Sequence, residues 1–482
     1  MKTASPDFKN LSATERAVLK CQTALELRDR GDYEGAQELI NSLQKNGEPD
    51  TAGLNEGVAA EVILCIGIIT RWLGGRNTFE GYQEKAKNLI SRAMAFYESI
   101  GDVKKVAEAR VELAYCYWRN GELNEARIFL EEALEKLTTQ GNTRARALLR
   151  LAIVEWSASK YHDSLQILTE NTSLFNKIIN HAIRGAYHSQ LAMVLNLLGT
   201  SENRPDYIER AITEYGEADK HFKQAHNTVY RADVKNNLGF LLAKSGRFSE
   251  AHQYLDQARR LTVSIKEKIR TAQIDETRAQ VFIAEGNFVR AESLARGAVS
   301  VLEKSGQQCF LNEALITHGI ALSRLGYTDQ AQFTLQRAIE AAHHVGAYNQ
   351  AGLAALTLIE ELDATPDTLF AAYDRASHWL SQIQTPDILF RLHKAGQKVI
   401  SKLRLMTDEE KADILFNEPC DLQEEVLKYE RKLIRQALAK VNGSVTHAAP
   451  LLGMTYQGLA SAIESRHKDL LKERSPIYRR KG

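Results

Sequence analysis

The residues best equipped for chemistry lie near the C-terminal end. Thr455, Tyr456, Gln457 and Ser461 bring hydroxyl and amide groups into one short stretch. A glutamine amide offers a donor and an acceptor together, which suits the edge of an adenine base. Downstream, Arg466 and Lys468, and then Arg479, Arg480 and Lys481, supply cations suited to phosphate oxygens. A second constellation, Tyr230, Arg231, Asn236 and Asn237, precedes Leu238-Gly239; its amides can hold a peptide backbone without demanding one side chain.

Signatures of catalysis are missing from the sequence. It has no phosphate-cradling glycine loop with its lysine, no His-Glu-x-x-His helix and no Gly-x-Ser-x-Gly elbow. His343 and His344 are adjacent, so on a helix they diverge by about 100° and make a poor shared metal site. No enzyme activity, cofactor or metal is therefore expected. Cys21, Cys65, Cys116, Cys309 and Cys420 are dispersed, which suits a reducing cytoplasm, and Cys116 and Cys309 are expected to fill helical cores. The amino end has no apolar core behind its charge and no long uncharged apolar run follows, so neither secretion nor a membrane partner is expected.

The elements that must position these groups follow from spacing. Gly246, Gly286 and Gly326 recur every 40 residues within similar blocks, each followed by paired small residues: Ala251 and Ala258, Ala291 and Ala298, Ala331 and Ala338. Seven residues before each glycine stands another small residue, Gly239, Ala279 or Gly319. Small positions facing one another are the condition for two antiparallel helices to approach closely. Gly31 and Gly121 carry the same grammar, and Ala86/Ala93 and Ala211/Ala218 mark further second helices, giving about eight helix pairs between Leu11 and Val345. More helices are expected over Tyr348 to Leu362, from Pro366 through Leu380, and from Pro386 to near Leu403.

These blocks resemble tetratricopeptide repeats, with 40 residues in place of the usual 34. The resemblance implies a superhelical groove that binds peptides or proteins, with first helices lining its concave side, and it implies no reaction.

Leu427 to Leu438 reads as a helix with Leu427, Ile434 and Leu438 on one stripe, widened by Leu433 and Ala437. Asn442-Gly443 ends it. A helix from about Val445 to Leu452 and another from about Thr455 to Glu464, capped by Thr455, then follow, with Ala448, Ala449 and Leu452 packing on Leu459 and Ile463. Glu430, Leu433-Ile434, Ala437-Leu438, Asn442-Gly443, Ala448-Ala449, Leu452-Gly453-Met454 and Leu459 together resemble the C-terminal DNA-binding domain of the Fis family. Pro450 and the lack of a basic residue within the last of these helices depart from that family's pattern.

The net charge of +1 hides an asymmetry: from Lys428 onward there are 12 basic against 4 acidic residues, and before it 50 against 57. A basic end on an acidic body suits a chain in which only the end touches phosphates. The expected fold class is all-α, a superhelical tetratricopeptide-like array over 1–405, a linker over 406–425 and a helix-turn-helix domain with a basic tail over 426–482. The expected partners are double-stranded DNA at the C-terminal end, a peptide or protein on the array, and a second copy in a homodimer. A bacterial, cytoplasmic, nucleoid-associated transcription regulator is the leading expectation. The alternative is a non-enzymatic scaffold whose C-terminal domain serves assembly.

Overall fold

The computed structural model describes residues 11–74, 81–381, 383, 386–404 and 422–474. They form an all-α chain with one two-stranded turn. The first hairpins are α1 (Ala13–Arg30) with α2 (Tyr33–Asn41), α3 (Glu56–Gly74) with α4 (Tyr82–Ser99), and α5 (Val103–Arg119) with α6 (Leu123–Lys136). Then come α7 (Asn142–Ser157) with α8 (Tyr161–Glu170) and a short α9 (Thr172–Lys177), followed by α10 (His181–Ser201) with α11 (Pro205–Gln224). The regular part comprises α12 (Thr228–Lys244), α13 (Phe248–Ser264), α14 (Lys268–Ala284), α15 (Phe288–Leu302), α16 (Gln308–Arg324) and α17 (Thr328–His344). Three further helices follow: α18 (Tyr348–Glu361), α19 (Pro366–Trp379) and α20 (Pro386–Arg404).

The 40-residue period has a simple origin. From α12 to α17 most helices are 17 residues long, about 25 Å, and a new one begins every 20 residues. Only three residues then remain to reverse the chain. Gly246 meets that demand at φ 75°, where its N–H donates to Ala243 and that of Arg247 to Leu242, so the last carbonyls of α12 are satisfied. The small residues act where expected: a Cβ on Gly239 would stand 2.7 Å from Leu255 Cγ, and one on Gly319 2.5 Å from Leu335 Cγ.

Across hairpins, first helices pack on first helices: α1 on α3, α5 on α7, α7 on α10, α12 on α14, α14 on α16 and α16 on α18. Second helices make no comparable contact with one another among the described residues. The first helices are therefore the tighter, inner wall of a curved array. The amino-terminal half is less regular, because α2 stops after nine residues at the strand pair Gln44–Lys45 and Glu48–Pro49, and α8 is cut to ten before α9.

One helix bears on the membrane expectation, and one expectation needs correction. The helix α3 is by length and composition apolar enough to cross a membrane. It carries Glu61 and Arg71, however, and its Val62, Cys65, Ile66 and Ile69 are buried in the core shared with α1 and α2. Cys116 is buried as expected, but Cys309 is exposed, because it falls in the first turn of α16, outside the packed stripe.

By contact density the chain forms two compact units: Met1–Ala364 with Ala371–Ala395, and Thr365–Phe370 with Gly396–Gly482. In the second, a long helix runs Leu422–Lys440, a short one Val445–Leu451 and a third Tyr456–Ser465, followed by a 3-10 turn Lys468–Glu473. The long helix starts five residues before Leu427, since Leu, Gln and Glu are strong helix formers. Of the expected linker, residues 406–421 lie outside the described residues. Asn442 (φ 51°) and Gly443 (φ 79°) reverse the chain in left-handed conformations, with the Gly443 N–H donating to Leu438 at 2.8 Å. Pro450 sits in the last turn of the short helix, which ends one residue later.

Candidate nucleic-acid interface and inner face

Ile434, Ala437, Leu438, Ala448, Ala449, Leu459, Ala462, Ile463 and Leu470 form the core of the terminal unit, and Leu452 packs on it from a half-buried position. The core fixes one face of Tyr456–Ser465, so the opposite face must be open. Tyr456, Gln457 and Ser461 are exposed on it. Thr455 is exposed too, but its Oγ1 accepts the Gly458 N–H at 3.1 Å, so its side chain is already engaged as the helix cap.

Arg466 is held. Its Nε donates to Glu430 Oε2 at 3.1 Å and its Nη2 to Oε1 at 2.5 Å, while His467, fully buried, meets Glu430 Oε2 through Nε2 at 2.9 Å. These hydrogen bonds, Arg466 foremost, hold the Glu430 carboxyl below its ordinary range. Lys468 is exposed, and Arg479, Arg480 and Lys481 lie outside the described residues. Arg435 is paired with Glu473 at 2.8 Å and Arg474 with Glu464 at 3.0 Å, so much of the basic surface is internally neutralised. Outward from the same unit, Val426, Tyr429 and Leu433 leave an apolar stripe of the long helix exposed, and Leu427 is 37% exposed. Of the expected stripe, only Ile434, Ala437 and Leu438 enter the core.

On the array, Tyr230 is half-buried against the amino-terminal core, its ring 5.3 Å from that of Phe222, and burial raises its hydroxyl. Arg231 pairs with Asp219 at 3.0 Å. Asn237 hydrogen-bonds Tyr215, whereas Asn236 keeps a buried Oδ1 with no hydrogen-bond partner.

A denser polar site had no expectation attached. Asp29, at the end of α1, accepts from Arg146 Nη2 on both oxygens (3.1 and 2.9 Å), from Asn180 Nδ2 (2.8 Å) and from Arg28 (2.9 Å), and Asn227 Nδ2 donates to its carbonyl at 3.0 Å. Beside it, Glu112 accepts from Arg71 (2.9 Å) and Arg150 (2.8 Å), with Arg71 over the Tyr115 ring at 4.0 Å. Although burial opposes its charge, Arg28 and Arg146 lower the Asp29 carboxyl to about 2. These groups come from α1, α3, α5, α7 and the caps of α10 and α12, all on the inner wall. The one local signal was an arginine pair four residues apart, Arg146 and Arg150, which places both on one helix face.

The family described as "Bacterial regulatory protein, Fis family" matches residues 428–464, and "Tetratricopeptide repeat" families match 107–135 and 231–265. No curated protein matches the chain. Among solved structures, the apo form of the quorum sensor NprR from B. thuringiensis is similar at TM-score 0.50 and 12% identity, over 69% of this chain and 89% of that one. A STAND protein with a tetratricopeptide repeat sensor from Pyrococcus horikoshii aligns at TM-score 0.49 and 13% identity, over 80% and 66%. A Rap protein complexed with Competence and Sporulation Factor aligns at TM-score 0.47 and 12% identity, over 81% and 99%. At such identities the NprR likeness shows the fold of the array alone. The chain is thus an array containing tetratricopeptide repeats that carries, near its C-terminal end, a helix-turn-helix of the bacterial Fis regulatory family.

Proposed function

We infer that the chain is a non-enzymatic DNA-binding transcription regulator whose array binds a peptide or protein partner. The observation that carries this reading is the exposed row Tyr456, Gln457 and Ser461 on a helix held from behind by Leu459 and Ile463, inside the segment that the Fis family matches. A helix so presented fits the major groove, where Gln457 pairs with adenine while Lys468 and the basic tail position the domain on phosphates. The exposed stripe Val426, Tyr429 and Leu433 supports pairing with a second copy, and two copies would read half-sites about one helical turn apart. On the array, the orphaned acceptor of Asn236 supports a ligand that brings an N–H. A bacterial cytoplasm with nucleoid association follows from the same reading.

The same apolar stripe supports a second reading, a scaffold whose terminal unit serves assembly only. Binding of tiled upstream DNA by the full chain, by Gln457→Ala and by a version ending at Glu424, across several salt concentrations, separates the two. The regulator reading expects specific binding by the full chain, loss of about 1–3 kcal/mol of base discrimination in Gln457→Ala, and none in the shortened chain. Equal binding by the full and shortened chains refutes it.

A further inference from the structure

Four guanidiniums, of Arg28, Arg71, Arg146 and Arg150, meet two carboxylates, of Asp29 and Glu112, on the inner wall of the array. Arg71 is 4% exposed and its Nε has no hydrogen-bond partner. A surplus of cations away from water is costly unless anions complete it. The surplus is felt within the network: burial, and then Arg28, bring the Arg146 guanidinium down to about 10, and burial lowers Arg150 as well. Exposure is graded, with Arg71 and Glu112 forming the floor and Arg146 and Asp29, about one-fifth exposed, the mouth.

The mouth already shows what it accepts. One Nη2 of Arg146 spans both Asp29 oxygens, and Asn180 and Arg28 complete a carboxylate socket. Asp29 belongs to α1, whereas its holders other than Arg28 lie 117 and 151 residues away in sequence. The part of the socket made by α7 and the cap of α10 is therefore separate from the helix that carries Asp29, whereas Arg28 belongs to that helix.

We propose that this socket is an anion-binding site for a carboxylate of an acidic peptide ligand, and that Asp29 is the chain's own carboxylate seated there until the ligand replaces it. The proposal deepens the sensing half of the proposed function and rests on it. A carboxylate entering at Arg146 replaces Asp29 one for one and keeps that charge paired, while Asp29, at the mouth, turns to water. The exchange also removes side-chain bonds between α1 and the wall formed by α7 and α10. A signal at the socket thereby becomes a change in how firmly the first hairpin is held.

The test titrates the full-length protein with a capped tetrapeptide bearing two aspartates, with its bis-asparagine analogue, and with inorganic phosphate, at low and fixed ionic strength. The aspartate peptide is expected to bind saturably, about tenfold more tightly to Asp29→Asn, which lacks the tethered competitor, and at least about tenfold more weakly to Arg146→Gln; the analogue is expected not to bind. Equal affinity in wild type and Asp29→Asn overturns the exchange, as does equal binding of the analogue. Saturable binding of phosphate without the aspartate peptide overturns the carboxylate assignment. Circular dichroism checks folding; should Arg146→Gln unfold, the Asp29→Asn comparison decides alone. DNA binding is followed on the same samples, because its absence counts against the regulator reading while leaving the titration intact.

Discussion

Replacing Gly319 by alanine should destabilise the array, although alanine is the better helix former. Gly319 lies in the middle of α16, where the exchange alone would favour the helix by about 1 kcal/mol. The new Cβ, however, would stand 2.5 Å from Leu335 Cγ and 2.7 Å from its Cδ2, and Leu335 is fully buried, so it has no free space to retreat into. Overpacking of this kind costs about 1–3 kcal/mol, which offsets the helix gain and leaves a net loss of up to about 2 kcal/mol. Gly297 supplies the control. It too is inside a helix, α15, but is exposed with nothing within 4 Å of a Cβ, so Gly297→Ala should gain about 0.5–1 kcal/mol. Thermal unfolding followed by far-UV circular dichroism, with hydrogen exchange of α16 and α17 to localise the change, reads both. A Gly319→Ala protein as stable as Gly297→Ala would refute the claim that small residues set the distance between helices.

Acid should weaken the array through His221, whose ring is nearly buried against His181 (Nδ1 to Nδ1 3.1 Å) and stacked on His188, itself bonded to Glu214; Arg184 and Glu217 also face the cluster. Burial, and then the positive charge of Arg184, lower His221 to about 4, so the folded state keeps it neutral. Its contribution is intact above about 6.5 and is lost as pH falls towards 4, on the order of 2–3 kcal/mol; His221→Gln should flatten that part of a stability-against-pH curve, and an unchanged slope would refute the assignment. In the terminal unit, Glu430→Ala should cost about 1–3 kcal/mol because it leaves buried His467 without its partner. Arg466→Ala, at an exposed pair, should cost under about 1 kcal/mol, and hydrogen exchange over 422–474 compares the two.

What could be read from the sequence was whatever repeats or closes locally. Gly246, Gly286 and Gly326 announced the turns because a three-residue reversal needs a left-handed backbone. Thr455, Asn442 and Gly443 likewise act within a few residues of themselves. Asp29 meeting Arg146 and Asn180 was illegible, because that contact depends on the summed small rotations of several hairpins. Cys309 misled because hydrophobic residue type says nothing about phase within a first turn. The Glu430 contacts with Arg466 and His467 escaped notice because three exposed-looking polar residues carry no spacing signal until the turn at Gly443 is folded.

The bond from Asn227 Nδ2 to the Asp29 carbonyl has a consequence for how such an array can evolve. Forty-residue modules can be gained or lost beyond α12 without shifting any earlier register. Between α2 and α12 that freedom is gone, since one module more or fewer would bring a different cap opposite Asp29, and would crowd or abandon Gly31, whose Cβ position lies 2.7 Å from Asn227 Oδ1. The closing contact therefore serves as a gauge that fixes the number of modules in the first part of the chain and leaves the rest free to lengthen.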